Sequence, residues 1–368
     1  MKKLCCIFNI PSLYREAIYK EIDGQYDCEW FFEKDDRGIA LFDTHQLKKV
    51  SFFEYRDFFG RFYRMKGLTK AIWKRNDFDA YLMIGAPMCI SIWALCVLLR
   101  VFHPKKKVFF WTHGWYGKES KMETLIKKMF YRLPTGVLLY GNYAKGLMIK
   151  EGFDPSKLNV IYNSLDYEKQ LALRNSIQPS HIYLDYFGND NPTLIVICRL
   201  TSRKKIDLLI EAISLLKDRG TLYNLVIVGD GSEKDKLQQL VNNKSLKEQV
   251  WFYGPCYDEQ KNAELIYNAD LCVTPGDVGL TAIHSMMFGV PVITHNYYPS
   301  QGPEFEVIQP DITGDFFERD DVSSLVDIID KWFQNNYTRE KIRFNCYKVI
   351  DEKWNPIYQI EVIKSVIN

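Results

Sequence analysis

Two basic residues stand just after a strand-like segment in the second half of the chain. The apolar run Thr193–Cys198 predicts a strand, Arg199 follows it directly, and Lys204 comes one loop later at the start of a predicted helix. The end of a strand delivers Arg199 to the edge of a sheet, where Lys204 can converge on it. Two fixed positive charges suit a diphosphate leaving group, because negative charge grows on that group as its bond breaks. A solvated basic loop is the alternative interpretation.

The stretch 269–294 predicts a strand, a turn, a helix and a second strand. A Pro-Gly pair stops the strand Leu271–Thr274, and Asp277 is expected to cap a helix that runs to about Phe288. The turn falls at the carboxyl end of a strand, where open α/β sheets bind ligands. The free amide groups expected to point at such a ligand, with the positive end of the helix behind them, belong to Val278, Gly279 and Leu280.

Asp277 and His284 are two polar groups within this otherwise apolar unit. The helix that carries His284 has apolar or small side chains on all sides, so we expect it to be buried and the imidazole to need a partner. Two interpretations stand. The pair belongs to a ligand site, or Asp277 only caps the helix and His284 is satisfied within the core.

The size and composition of the chain indicate a two-domain protein of a reducing compartment. At 368 residues it is too long for one ordinary domain and fits two of about 150–180 residues, and 47% hydrophobic residues suffice for two cores. No secretory signal is visible. The nine cysteines form no CxxC pair and no metal-ligand spacing with the six histidines, which favours buried thiols in the cytosol.

Positive charge is concentrated in one segment of the first half. Residues 56–132 hold 16 Lys and Arg against five Asp and Glu, a balance of +11, although the whole chain carries only +2. Aromatic residues interleave with these charges at 61–75 and 121–132, a pattern typical of proteins that bind anionic membrane surfaces or lipid phosphates. A solvated basic face is the alternative. Nucleic acid is not expected as a partner, because no nucleic-acid-binding motif is present.

Strand and helix patterns alternate in both halves of the chain, which predicts two parallel sheets covered by helices. The apolar run Met88–Phe102 is too short in its helical part to span a bilayer, so a buried crossover helix is expected there. Two such halves imply a cleft between them, where a ligand binds. The expected divisions are a first domain at 1–170 with a C-terminal helix at 350–368 packed back on it, a linker at 171–191, and a second domain at 192–349.

Several short motifs of the second half follow the order and spacing of a known family. These motifs are RL-xxx-K at 199–204, VGDG at 228–231, FYGP at 252–255, PG-x-x-GL…FGVPVIT at 275–294, and FEVI with TG at 305–314. On these motifs the chain resembles the family 4 glycosyltransferases, whose GT-B fold has two Rossmann-like domains that face each other across a cleft. In the first half, THG at 112–114 and VIYNSLD at 160–166 agree with such enzymes.

The resemblance implies that the second domain holds a nucleotide-sugar donor and that the first holds an acceptor. Arg199 and Lys204 match the family's diphosphate-binding pair, and the family's two glutamates fall on Gly276 and His284, with Asp277 as a substitute one residue away. The remaining donor-side matches are Gly229, Gly254, Pro255, Cys256 and Glu306.

His113 is the candidate on the acceptor side. It follows the predicted strand Val108–Trp111 of the first half, and Gly114 beside it permits a close backbone turn. We therefore expect the imidazole to lie in the cleft. A histidine on an ordinary surface turn is the alternative.

The leading hypothesis is a cytoplasmic glycosyltransferase on the inner face of the membrane. It moves a sugar from a nucleoside diphosphate to a hydroxyl of a lipid-linked or growing surface glycan, and the resemblance implies retention of anomeric configuration. No DxD motif lies near the cleft turns, so neither a metal nor another cofactor is expected. Two alternatives stay open: a catalytically silent GT-B module that binds a glycan or a partner subunit, and a sugar-nucleotide epimerase of the same fold.

Overall fold

A computed structural model of the chain describes residues 1–34, 40–335 and 337–368. It divides into two compact units. The first unit comprises Met1–Asp166 and Asn355–Asn368, and the second comprises Tyr167–Trp354. The C-terminal residues thus fold with the first unit, although the chain reaches them only after the second unit is complete.

The first unit is built on a parallel sheet. The strands of this sheet are β1 (Lys3–Ile7), β2 (Asp27–Glu33), β3 (Val50–Phe53), β6 (Ala80–Ile84), β7 (Lys107–Thr112), β8 (Gly136–Leu139) and β9 (Leu158–Val160). Two further strands, β4 (Tyr55–Phe59) and β5 (Phe62–Met65), form a separate antiparallel hairpin. Among the described residues, seven strands pair in the order β3-β2-β1-β6-β7-β8-β9, all in parallel. The order reverses between β1 and β6, so the sheet has a topological switch point there.

Helices cover both faces of this sheet because its strands alternate their apolar side chains between two cores. Leu4 and Cys6 of β1 join one core and Cys5 and Ile7 join the other. The first core is closed by α1 (Glu16–Gln25) and the last helix of the chain, α14 (Pro356–Ile367); the second by α2 (Leu68–Ile72), α3 (Ile90–Phe102), α4 (Lys121–Phe130) and α5 (Asn142–Lys150). Helix α3 connects β6 to β7, as the apolar run predicted. None of the helices in the described ranges has the length and hydrophobicity that a membrane crossing requires.

The second unit repeats the architecture. Its strands are β10 (Thr193–Ile197), β11 (Asn224–Val228), β12 (Val250–Gly254), β13 (Leu271–Thr274), β14 (Val292–His295) and β15 (Gly314–Phe317). In the described part of this unit six strands pair in parallel in the order β12-β11-β10-β13-β14-β15. The switch point here lies between β10 and β13, the two strands that precede the predicted site segments.

The helices of the second unit include two that the sequence did not predict. The segment 171–191 was predicted to be a linker, but it contains the end of α6 (Tyr167–Ser176) and all of α7 (Ile182–Phe187), and both belong to the second unit. Helix α6 buries only Gln170 and α7 only Tyr183, so neither shows a clear apolar period. The others are α8 (Ile206–Asp218), α9 (Lys234–Asn243), α10 (Glu259–Asn268), α11 (Thr281–Met287), α12 (Val322–Gln334) and α13 (Arg339–Lys353).

Candidate functional site

The two loops predicted to bind a ligand meet at the switch point of the second sheet. Strand β10 pairs with β13, so the loop after Ile197 lies beside the turn after Thr274. The amide of Gly276 donates to the Lys204 carbonyl oxygen at 3.1 Å. The hydroxyl of Thr281, at the start of α11, donates to the Ile197 carbonyl oxygen at 3.0 Å. These bonds fix the start of α11 against the end of the strand that carries Arg199.

Gly276 is required where these loops cross. A Cβ atom at this position would lie 2.2 Å from the Arg203 carbonyl oxygen and 2.7 Å from the Lys204 Cα, both backbone atoms. No side chain fits without a shift of the Arg203–Lys204 loop. The glutamate that the family pattern has at this position is therefore excluded here on steric grounds.

Asp277 contacts three other residues of the site and does not cap a helix. Helix α11 begins only at Thr281, its N-cap position is Leu280, and no side chain caps it. The Asp277 carboxylate instead accepts from Arg203 Nε at 2.5 Å through Oδ2 and contacts His295 Nε2 at 3.4 Å through Oδ1. Its carbonyl oxygen accepts from Lys204 Nζ at 2.7 Å. The predicted cap was wrong because these longer-range partners hold Asp277 upstream of the helix.

The ionisation of Asp277 follows from these partners. Burial alone would raise the pKa of Asp277, but hydrogen bonds from His295, Arg203 and Ser300, together with the Arg203 charge, outweigh burial and hold the pKa well below its usual value. The amide of Tyr297 donates to His295 Nδ1 at 3.2 Å. The imidazole proton is therefore on Nε2, where it can donate to Asp277.

Gln301 and His295 are functional neighbours that the sequence did not single out. The Gln301 side chain is buried; its Oε1 accepts from the Val278 amide at 2.6 Å and its Nε2 donates to the His295 carbonyl oxygen at 2.7 Å. The amide of Val278, predicted to be free for a ligand, is thus already occupied. Nothing in the sequence indicated this contact, because Gln301 lies 23 positions from Val278.

Beside this network lies a group of hydrogen-bond donors unoccupied by any described residue, which we call the open edge: the Arg199 side chain and the backbone amides of Gly279 and Leu280. Arg199 is exposed, and its guanidinium makes no hydrogen bond or ion pair with any residue in the described ranges. Among the same residues, the amides of Gly279 and Leu280 find no acceptor, and a Cβ on Gly279 would meet nothing within 4 Å. One cation and two amide groups at a helix start are therefore available to an anion.

The turns predicted to lie beside a nucleoside adjoin the Arg199 loop. Gly229 donates its amide to the Gly254 carbonyl oxygen at 2.8 Å, and a Cβ on Gly229 would lie 1.9 Å from the Cys198 carbonyl oxygen. Both turns therefore sit at the same sheet edge as Arg199. Pro255 is exposed, and Cys256 is half-buried with its thiol 3.6 Å from the Asp258 carbonyl oxygen.

The structure pairs the side chain of His284, one helical turn after Leu280, with a carboxylate of α10. Its Nε2 lies 2.9 Å from Glu259 Oε1 on α10, and the same oxygen accepts from Gln170 of α6 at 2.8 Å. Burial would raise the pKa of Glu259, but the hydrogen bond and charge of His284 outweigh burial and lower it. Glu306, the other predicted donor-side residue, is half-buried in the short helical segment Pro303–Val307.

His113 follows β7 in the first unit, as predicted. Its ring packs against Tyr140 at 4.8 Å and Tyr116 at 5.8 Å between centroids. The side chain is exposed on one side, yet the surrounding protein desolvates the ring. This desolvation, with the charges of Arg15 and Lys127, lowers the pKa of His113 to about 4. The imidazole is therefore neutral at physiological pH. No cluster of three or more His, Cys, Asp or Glu side chains suited to a metal occurs among the described residues.

Comparisons with known proteins identify the family. The profile of the family described as Glycosyl transferases group 1 matches residues 187–349. The O-antigen biosynthesis glycosyltransferase WclY of Escherichia coli is 33% identical over 304 residues, which cover 78% of this chain and 76% of WclY. The lipopolysaccharide 1,6-galactosyltransferase of Escherichia coli K12 is 23% identical over 232 residues, 61% of this chain and 59% of that protein, so the chain spans little more than half of this relative's length.

A solved structure supports the architecture. Alr3699/HepE of Anabaena, solved in complex with UDP, aligns with a TM-score of 0.73 over 99% of both chains at 16% identity. A likeness at this identity shows the fold alone, and it confirms the predicted α/β GT-B fold with two Rossmann-like domains.

Proposed function

The chain belongs to the group 1 glycosyl transferases of bacterial surface-polysaccharide synthesis, and we propose that it transfers a sugar from a nucleoside diphosphate to a hydroxyl of a lipid-linked or growing surface glycan. The bond between the anomeric carbon and the diphosphate oxygen breaks, and the acceptor oxygen bonds to the same carbon. The acceptor proton passes to the leaving phosphate. We propose that transfer retains the anomeric configuration and needs no metal.

The observation that carries this proposal is the uncommitted charge of Arg199 beside the open amides of Gly279 and Leu280. A diphosphate that leaves the sugar gains negative charge, which these fixed donors stabilise without reorganising. Lys204 adds a second cation and is held in place by the Asp277 carbonyl oxygen. Since Alr3699/HepE was solved with UDP, a uridine diphosphate sugar is the first donor to test.

Asp277 and His113 receive different roles in this proposal. Both oxygens of the Asp277 carboxylate already have protein partners, so we assign Asp277 the positioning of Lys204 and the Arg203 side chain, not direct contact with donor hydroxyls. His113 is the candidate for contact with the acceptor hydroxyl, because its exposed ring is neutral and can accept a hydrogen bond. Glu306, His284 and the turns at Gly229 and Gly254 remain candidate supports of the donor.

We propose that an exposed face of the first unit contacts the anionic inner surface of the membrane. The tip of the β4–β5 hairpin exposes Phe58 and Phe59, and Arg61 beside it pairs with Glu123 of α4 at 3.0 Å. Helix α4 exposes Met122, Leu125 and Met129 between its lysines. Exposed apolar side chains flanked by cations suit the interface of an anionic bilayer.

The experiment is an assay with UDP-glucose, UDP-galactose and UDP-N-acetylglucosamine, with and without a lipid-linked glycan acceptor. Transfer to the acceptor, unchanged by EDTA, is expected, and NMR of the product gives the anomeric configuration. Sugar interconversion without an acceptor would establish the epimerase instead. Binding of UDP with neither transfer nor hydrolysis of any donor would favour the silent module and contradict the proposal.

A further inference from the structure

Arg15 of the first unit carries a buried charge that no carboxylate of the described residues neutralises. The residue lies just before α1 and is 8% exposed. Within the described ranges it forms no ion pair with a carboxylate; its Nη1 donates to the Tyr19 hydroxyl at 3.2 Å and its Nη2 donates to the Tyr140 hydroxyl. A buried cation without a counter-ion is costly. The fold alone therefore gives no reason for a guanidinium here.

Two buried hydrogen-bond donors in this region have no acceptor. Among the described residues, Arg15 Nε and Trp111 Nε1 make no hydrogen bond. Trp111 is 2% exposed, and the Arg15 guanidinium lies 5.7 Å from its ring centroid. Buried donors are nearly always satisfied in native proteins, so two neighbouring exceptions indicate a missing acceptor. An oxygen atom with negative charge would satisfy both donors and the charge.

The position of this pair in the sheet also indicates a ligand. Arg15 follows β1, which borders the switch point of the first sheet, and Trp111 lies at the carboxyl end of β7 on the far side of β6. Aromatic rings surround the guanidinium at 5.5–5.9 Å. One of them, Tyr140, contacts the His113 ring at 4.8 Å. The unsatisfied donors and the exposed imidazole thus belong to one continuous set of side chains.

We infer that the Arg15 site, formed by Arg15, Trp111, Tyr140 and His113, binds an anionic group of the acceptor, either a phosphate or a carboxylate. The guanidinium pairs with the anion, and the Trp111 indole donates to one of its oxygens. The aromatic rings accommodate the apolar face of the adjoining sugar. The assignment to the acceptor rests on the proposed transferase function, and the anion site itself does not.

A matched pair of tryptophan substitutions tests whether the indole N–H serves a ligand. Trp30 Nε1 donates to Asp23 at 2.8 Å, so Trp30→Phe removes a satisfied bond, whereas Trp111→Phe removes a donor with no protein partner. Both substitutions leave a smaller side chain in the core and should lower Tm, but we expect Trp30→Phe to lower it more, because it also loses a satisfied hydrogen bond. In ¹⁵N-labelled full chain, the Trp111 indole signal, assigned through Trp111→Phe, should shift with glycerol 1-phosphate or glucuronate at constant ionic strength, and not with glycerol or glucose.

The two anion probes distinguish the sources of the charge. A larger response to glycerol 1-phosphate indicates the phosphate of a lipid-linked acceptor, and a larger response to glucuronate indicates an acidic sugar. Arg15→Lys keeps the charge but loses the planar fork of donors. We expect it to weaken the indole response and to reduce kcat/KM for the anionic acceptor by about 10- to 100-fold.

Donor binding separates this inference from the proposed function. UDP affinity and donor hydrolysis should be the same in Arg15→Lys, Trp111→Phe and the unsubstituted chain. If UDP binding falls in both variants, the site belongs to the donor and the acceptor assignment is wrong. If neither anion moves the Trp111 signal and Trp111→Phe lowers Tm as much as Trp30→Phe, the anion site is refuted, whatever the outcome of the transferase assay.

Discussion

The two units place charge at their switch points in opposite ways. In the second unit the buried Asp277 carboxylate is paired with Arg203 and His295, whereas Arg199, which forms no ion pair with any described residue, is exposed. In the first unit Arg15, which likewise forms no ion pair with any described residue, is buried and enclosed by aromatic rings. An exposed cation can release its anion because water then solvates the charge. A buried cation binds an anion more strongly, and without the anion its charge stays unsolvated, which is costly.

This difference suits two kinds of substrate. A nucleoside diphosphate brings several negative oxygens and must leave after each turnover, which favours the exposed Arg199 and open amides. An anionic group on a glycan identifies an acceptor, which favours a buried site that rejects uncharged molecules. Specificity of this kind arises because the wrong ligand leaves buried donors unpaired.

The largest effect is expected at the open edge of the second unit. Arg199→Ala and Lys204→Ala should each raise the barrier to transfer by about 2–4 kcal/mol, the loss typical of one preorganised donor. The stabilities of the two variants should differ. The Arg199 side chain has no partner among the described residues, so Arg199→Ala should leave Tm unchanged. Lys204→Ala loses the hydrogen bond to the Asp277 carbonyl oxygen and should lower Tm. Steady-state kinetics and thermal melts measure both.

Arg219→Ala is the matched control for these variants. Arg219 is also an exposed arginine of the second unit, but it pairs with Asp327 at 3.0 Å and lies at the opposite end of α8 from Lys204. Its kcat/KM should equal that of the unsubstituted chain. Loss of activity in Arg219→Ala similar to that in Arg199→Ala would mean that general charge, and not the open edge, controls turnover.

An intermediate effect is expected at the paired charge of the second unit. Asp277→Asn should reduce the free energy of unfolding by about 1–3 kcal/mol at neutral pH, because Arg203 and His295 lose a charged partner. The folded-state pKa of Asp277 is lowered, so its contribution is present above the unfolded value of about 3.9 and is lost as pH falls below that value.

Urea midpoints at pH 6 and pH 3 measure this contribution. The difference between the unsubstituted chain and Asp277→Asn should shrink at the lower pH. Equal midpoints for the two proteins at both pH values would contradict the pairing of Asp277 with Arg203 and His295.

The smallest effect per residue is expected on the exposed face of the first unit. Binding to phosphatidylglycerol vesicles should weaken as salt rises, and the double substitution Lys121→Gln, Lys128→Gln should cost about 1 kcal/mol per charge at low salt. Sedimentation with vesicles measures it, with phosphatidylcholine vesicles as the control. Equal binding to both lipids would contradict an electrostatic membrane contact.

The sequence by itself determined the α/β alternation and the residues of the open edge. Period and composition fix which segments become strands and helices, since each must bury its apolar face. Arg199, Gly229 and Gly254 could be located because each lies at the end of a strand or within two residues of it, so the strand already places it at the sheet edge. Helices α6 and α7 were not predicted, because each buries a single side chain and therefore shows no apolar period in the sequence.

Only the tertiary structure decided which polar groups are occupied and which are open. Asp277 was predicted as a cap from its neighbours in sequence, but its partners are Arg203, from the loop after β10, and His295, at the end of β14. Arg15 gave no signal, because its aromatic neighbours come from β7 and from the positions just after β1 and β8. Hydrogen bonds and charges act over a few ångströms of space, and the order of strands in a sheet sets those distances independently of separation along the chain.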